Sequence, residues 1–188
     1  MGVMRVVSGS ARGRRLEAPA GRDVRPTSAR VREAVFNSLG SMGLVAQATF
    51  VDLFAGTGAL GIEALSRGAV AVTFVDESRA ALTAVRANLA TCGVADHAVV
   101  RAGDALEMAS LLDPVDVALL DPPYEFDRWS ELLAVVRCDV AVVESDREIV
   151  PPVGVQVINS RRYGGTVVTM LRFDGQDGPG RTPTEVDK

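Results

Sequence analysis

Histidine is almost missing from this chain of 188 residues, where His97 stands alone. Chemistry that needs an imidazole as general base or metal ligand is therefore disfavoured from the outset. Cysteine is nearly as scarce. Cys92 and Cys138 are the only two, which excludes a disulfide scaffold and a cysteine-rich zinc module, and no metal site is expected. No apolar run approaches the ~20 residues of a membrane span, and no charged-then-apolar leader opens the chain. A soluble, cytoplasmic protein with no membrane partner is the expectation. Lysine is missing apart from Lys188, so 19 of the 20 basic residues are arginine. Arginine forks suit bidentate phosphate contacts, but so lopsided a ratio is better explained by GC-rich codon usage. What remains is 47% hydrophobic, enough to bury one core at a length of about one domain.

Charge is unevenly placed. The net charge is −4, which alone argues against a nucleic-acid partner. Residues 1–40, however, hold Arg5, Arg12, Arg14, Arg15, Arg22, Arg25, Arg30 and Arg32 against Glu17, Asp23 and Glu33, a balance of +5. The rest of the chain carries −9. A basic arm on an acidic body points to an anionic partner met by the arm.

Along the chain, residues 4–8 and 15–18 flank a Gly/Ser/Arg-rich link, which reads as a hairpin. Thr27 and Ser28 can cap a helix running to about Leu39, with Val31, Val35, Phe36 and Leu39 on its buried face and Arg30 and Arg32 turned elsewhere. Gly40 and Gly43 should end it. From Thr49 short apolar strands (50–54, 70–75, 98–101, 115–120 and 140–144) alternate with helices (58–67, 78–91, 105–112 and 129–137). Such β-α units specify a doubly wound, mostly parallel α/β sheet covered on both faces. Two further strands around Gly164-Gly165 read as a closing β-hairpin. The domain layout expected is a basic extension over 1–40, a body over 41–174 and a disordered tail over 175–188.

Asp52-Leu53-Phe54-Ala55-Gly56-Thr57-Gly58-Ala59-Leu60-Gly61 contains G-x-G-x-x-G between a strand and a helix. Such glycines let backbone approach a ligand at a helix N-terminus. Asp76 ends the second strand, where a carboxylate can take both hydroxyls of a ribose. A nicotinamide dinucleotide and S-adenosylmethionine both fit so far. Asp52 tilts the choice, because a carboxylate beside the loop repels a pyrophosphate and suits ammonium and sulfonium groups. Asp104, after the third strand, is placed to meet the adenine amino group. Turn formation is the plainer role for Asp52 and Asp104.

Asp121-Pro122-Pro123-Tyr124 follows the fourth strand, which in a doubly wound sheet lies beside the first, so both motifs open onto one crevice. Consecutive prolines withhold N–H donors and turn carbonyls outward. A carboxylate plus a carbonyl can accept both hydrogens of an exocyclic NH₂, and Tyr124 can stack on a base swung out of its helix or loop.

With these motifs the chain resembles class I S-adenosylmethionine-dependent amino-methyltransferases, whose fold is Rossmann-like. Met4-Arg5-Val6-Val7-Ser8-Gly9, Arg25-Pro26-Thr27, Arg30-Val31-Arg32-Glu33 and Phe36-Asn37 narrow the resemblance to the RsmD family, bacterial small-subunit rRNA guanine-N2 methyltransferases. The resemblance implies a seven-stranded sheet with the last strand antiparallel. It also implies methyl transfer to N2 of a specific guanine of 16S rRNA in the assembling small ribosomal subunit. Carried over by motif, Asp52, Phe54, Gly56, Gly58, Asp76 and Asp104 line the cofactor site, with Arg25 and Thr27 at its mouth. Asp121, Pro122, Pro123 and Tyr124 hold the guanine, and Arg5, Arg12, Arg14, Arg15, Arg30 and Arg32 grip RNA. The motif chemistry itself leaves guanine N2 and adenine N6 open. DNA adenine-N6 methylation is therefore an alternative, and a non-catalytic RNA-binding assembly factor is another. Nothing suggests an obligate interface, so a monomer is expected.

Overall fold

A parallel sheet needs helical crossovers, and the alternation of apolar runs with amphipathic segments supplies them. The computed structural model describes residues 3–19 and 28–173. The elements are α1 (Ala29–Ser41), β1 (Thr49–Asp52), α2 (Ala59–Ser66), β2 (Ala71–Asp76), α3 (Arg79–Cys92), β3 (Ala98–Ala102), α4 (Ala105–Leu111), β4 (Val115–Leu120), α5 (Trp129–Val135), β5 (Cys138–Ser145), β6 (Val155–Tyr163) and β7 (Thr166–Phe173). They form one seven-stranded sheet in the order β3-β2-β1-β4-β5-β7-β6. β1–β5 pair in parallel, and β7 runs antiparallel between β5 and β6. The seven-stranded, doubly wound architecture and its antiparallel closing hairpin are those the sequence implied.

Strand alternation sorts the core into two layers. Phe50, Phe74, Val117 and Leu119 pack with α1, α2 and α3, whereas Val51, Val75, Ala118 and Leu120 pack with α4 and α5. α3 shows how local chemistry sets an element. Ser78 caps it by accepting from the Ala81 N–H, Ala81, Leu82, Val85 and Leu89 form its buried stripe, and Gly93 takes the left-handed stop at φ 71°.

Two expectations for α1 are corrected. The helix passes through Gly40 and ends at Ser41, with Gly43 in the left-handed position beyond it at φ 70°. Helical periodicity also turns Arg32 to solvent, yet the structure leaves it 1% exposed. Its Nη2 donates to the Arg5 carbonyl at 2.8 Å, and Glu63 and Glu144 offset the desolvation that lowers its pKa. A guanidinium enclosed in this way has no face for RNA, so Arg32 leaves the set of RNA contacts.

The expected N-terminal hairpin forms, short and irregular: Arg5 and Arg15 bridge antiparallel, and the Val6, Gly13 and Leu16 N–H groups donate to the Arg14, Val6 and Met4 carbonyls at 3.0, 2.9 and 3.0 Å. The body adds further hydrogen bonds that dock it. The Val7 and Ser8 N–H groups donate to the buried Glu63 carboxylate at 2.8 and 3.0 Å, and Ala11 N donates to Ser66 Oγ at 2.9 Å. Gly9, at φ 81°, is required by this docking, since a Cβ there would lie 1.8 Å from the Ser66 carbonyl oxygen.

Candidate active site

The parallel register brings three carboxylates together. β1 lies between β2 and β4, with Asp52 opposite Phe74 and Leu119. Asp76 and Asp121 stand two residues beyond those partners, so all three side chains emerge on the α1–α3 face at the carboxyl ends of the strands. Switch points of doubly wound sheets bind ligands there.

The loop after β1 is shaped by glycine at specific positions. Gly56 and Gly58 have φ of 53° and 76°, and Gly58 precedes α2 as its left-handed cap. At Gly61 a Cβ would sit 2.3 Å from the Phe74 ring, so glycine is what lets α2 lie close on the sheet. Asp76 holds the loop from below, accepting the Gly56 N–H at 2.9 Å through one oxygen and the Ser78 N–H at 2.8 Å through the other. Each carboxylate oxygen retains a second lone pair, so Asp76 can still accept from two neighbouring hydroxyls. The half-buried carboxylate beside an open glycine loop thus fits the ribose of an adenosyl cofactor.

Asp52 is 1% exposed and lies beneath the loop, where it accepts the Gly61 N–H at 3.1 Å. Burial pushes its pKa up to about 7, with Asp121 and Asp76 adding to the rise and the Gly61 N–H opposing it. Asp104 takes the plainer role, since its Oδ1 accepts the Glu107 N–H at 2.9 Å and caps α4. It still sits past the carboxyl end of β3, on the side of β2 away from β1.

In the second motif Asp121 is half-buried, Pro122 buried, and Tyr124 45% exposed. The Pro123 carbonyl accepts the Phe126 N–H at 2.9 Å and closes a tight turn. Among the described residues no backbone N–H donates to the Pro122 carbonyl, whereas the Pro123 carbonyl is occupied. Phe54 packs edge-on against Phe126 at 5.3 Å, and Phe126 against Trp129 at 5.0 Å, tying the first motif to the second.

Arg5, Arg12, Arg14, Arg15 and Arg30 are exposed, although Arg5 also donates to the Gly13 carbonyl of its own link at 2.8 Å. Arg25 and Thr27, expected at the cofactor mouth, and the tail over 175–188 lie outside the described residues. Sequence reasoning missed Glu63, Asn88 and Phe126. Asn88 is 1% exposed, donates to the Thr57 carbonyl of the glycine loop at 2.8 Å and holds both backbone groups of Glu17. The signal for the first two was a lone polar residue inside an apolar helix stripe, since each must find partners when buried. Among the described residues no cluster of three or more His, Cys, Asp or Glu is arranged to hold a metal ion, and no helix is long and apolar enough to cross a membrane.

Comparison with known proteins adds a family and relatives. Residues 4–172 match the family described as "Conserved hypothetical protein 95". YlbH of Bacillus subtilis (strain 168), provisionally named an rRNA methyltransferase, is 37% identical over 92% of this chain and 100% of its own length. The ribosomal RNA small subunit methyltransferase D of Escherichia coli (strain K12) is 38% identical over 65% of this chain and 61% of its own length. Among solved structures, an Escherichia coli protein provisionally titled methyltransferase yhhF superposes with a TM-score of 0.80 at 32% identity, covering 92% of this chain and 98% of the other.

Proposed function

Since this chain belongs to the conserved hypothetical protein 95 family, the RsmD-type methyltransferases, we propose that it methylates the exocyclic N2 of one guanine in small-subunit ribosomal RNA. The observation that carries this proposal is the convergence of Asp76 and Asp121 on one face of the sheet, either side of the glycine loop. Relatives named for small-subunit rRNA methylation support RNA as the substrate, and the RsmD resemblance supports guanine N2.

S-adenosylmethionine, when bound, supplies an electrophilic methyl group. The Gly56–Gly58 backbone would hold it, with Asp76 accepting from the ribose hydroxyls and Asp104 available to the adenine amine. Asp52 acts from beneath the loop, fixing its turn through Gly61 and, once ionised above about pH 7, adding negative field under a cationic ligand. A base amine is a poor nucleophile because its lone pair is delocalised into the ring. The Asp121 carboxylate and the Pro122 carbonyl accept its two N–H bonds, which favours the pyramidal nitrogen that attacks. Asp121 is also the group within reach to receive the proton released. Tyr124 stacks on the extruded base, and the rigid Pro122-Pro123 backbone keeps the acceptors in place. The exposed N-terminal arginines meet RNA phosphates in the substrate, which we take to be an assembling small subunit bound by a monomer.

Asp121→Ala should lower turnover by ~10²–10⁴-fold, the range for loss of a positioned acid–base group, with cofactor affinity nearly intact. Methyl transfer to undermethylated small subunits, read beside cofactor binding by calorimetry, checks both. Wild-type turnover in the Asp121→Ala protein would remove that residue from the chemistry.

A further inference from the structure

Away from the crevice, α1 and the β6–β7 hairpin enclose a groove of about 370 Å³. Asn37 and Ser38 line it from α1, and Asn159, Arg161 and Tyr163 from β6. Its charge departs from that of the surrounding body. From Ile149 to Phe173 the chain carries Arg161, Arg162 and Arg172 and no acidic residue at all, in a protein of net charge −4.

A single backbone irregularity turns Arg161 into the groove. Val157 pairs with Leu171 but Asn159 pairs with Met170, so Ile158 is an extra residue in β6. Before this bulge the odd-numbered residues share the α4–α5 face with Val155. After it Asn159, Arg161 and Tyr163 share the α1 face with Met170 and Val168. Without the bulge Arg161 would point to the other side of the sheet.

The same face and the same edge hold the crevice. β6 runs parallel to β5, so Tyr163 and the Gly164-Gly165 turn stand at the carboxyl edge with Asp121. Three strand spacings of ~4.8 Å put that end of β6 about 14 Å from the end of β4. Within β5, which lies between them, the acidic residue on this face is Glu144, which interacts with the buried Arg32 guanidinium, and exposed Asp146 just past the strand pairs with Arg147. A groove whose one charged lining residue is Arg161, with Tyr163 as an aromatic wall and within a short single strand's reach of a base-holding motif, is complementary to a nucleic-acid backbone.

We infer that this groove is a second RNA-contact surface, taking the single-stranded segment that flanks the methylated base. Arg161 meets a phosphate, and Tyr163 with Asn37 and Asn159 receives the adjoining nucleotide. The inference rests on the RNA-methylation proposal above.

Steady-state methyl transfer to undermethylated small subunits and to protein-free rRNA tests it, with wild type, Arg161→Glu, Arg161→Lys and Arg137→Glu compared. Arg137 is exposed at the opposite edge of the sheet and receives the same charge reversal. Arg161→Glu should raise KM for RNA roughly tenfold, the loss of one charge-assisted contact. Its kcat and cofactor affinity should stay near wild type, Arg161→Lys should recover most of the KM, and Arg137→Glu should leave KM unchanged. A wild-type KM in Arg161→Glu, or an equal rise in Arg137→Glu, would overturn the groove while leaving the enzyme assignment intact. A wild-type protein that methylates neither RNA would overturn that assignment and the groove with it.

Discussion

Asp52 bears the clearest pH signature of any single residue here. Its pKa rises from 3.8 to about 7 because burial penalises the carboxylate more than the Gly61 N–H supports it. Between those values the folded protein holds a proton that the unfolded chain has released. Stability contributed by this group is therefore present at low pH and lost as pH rises through about 7. Asp52→Asn should cancel that loss, so that the variant gains stability relative to wild type between about pH 4 and pH 7 by denaturant unfolding; a difference independent of pH would place the proton elsewhere. Asp76 and Asp121 were legible in the sequence because each ends an apolar strand at a spacing that the βαβ unit fixes. Arg32 was not. It sits beside the Val31, Val35, Phe36 stripe, and partners distant along the chain, the Arg5 carbonyl, Glu63 and Glu144 among them, make its burial tolerable. Pairing at that range leaves no local pattern.

Elements, rather than single residues, decide how the N-terminal segment is held. The segment is a short hairpin, and it lies on α2 because Glu63, with no exposed surface, accepts from Val7, Ser8 and the Arg67 guanidinium. Glu63→Gln removes the countercharge of Arg67 and Arg32 and should cost about 3 kcal/mol of stability, as breaking a buried pair does. Denaturant unfolding, with protease cleavage after Arg12 or Arg14 reporting release of the segment, measures it. Unchanged stability would show that the docking does not depend on Glu63. Helix and strand positions were readable from periodicity to within a few residues, since caps such as Ser78 and stops such as Gly93 carry their own geometry. The bulge at Ile158 was not readable, because one extra residue in a strand changes which face is buried without changing composition.

At the scale of the molecule, topology and charge act together. The order β3-β2-β1-β4-β5-β7-β6 follows from parallel β-α units and a final hairpin, and both were legible because the connections are short. The acidic body hid a basic stretch over β6 and β7, which the whole-chain charge averaged away. RNA binding should weaken with salt, and charge reversal at Arg12, Arg14 and Arg15 together should reduce the log–log salt slope by about two, at ~0.7 per phosphate for single strands. KM measured across a salt series gives that slope, and an unaltered slope would remove the N-terminal arm from the interface. The most direct measurement is transfer of labelled methyl from S-adenosylmethionine to undermethylated small subunits, protein-free rRNA and duplex DNA in parallel. Label confined to ribosomal RNA and released on digestion as N2-methylguanine is the predicted result. Label on DNA adenine, or none on any substrate while the cofactor still binds, would contradict it.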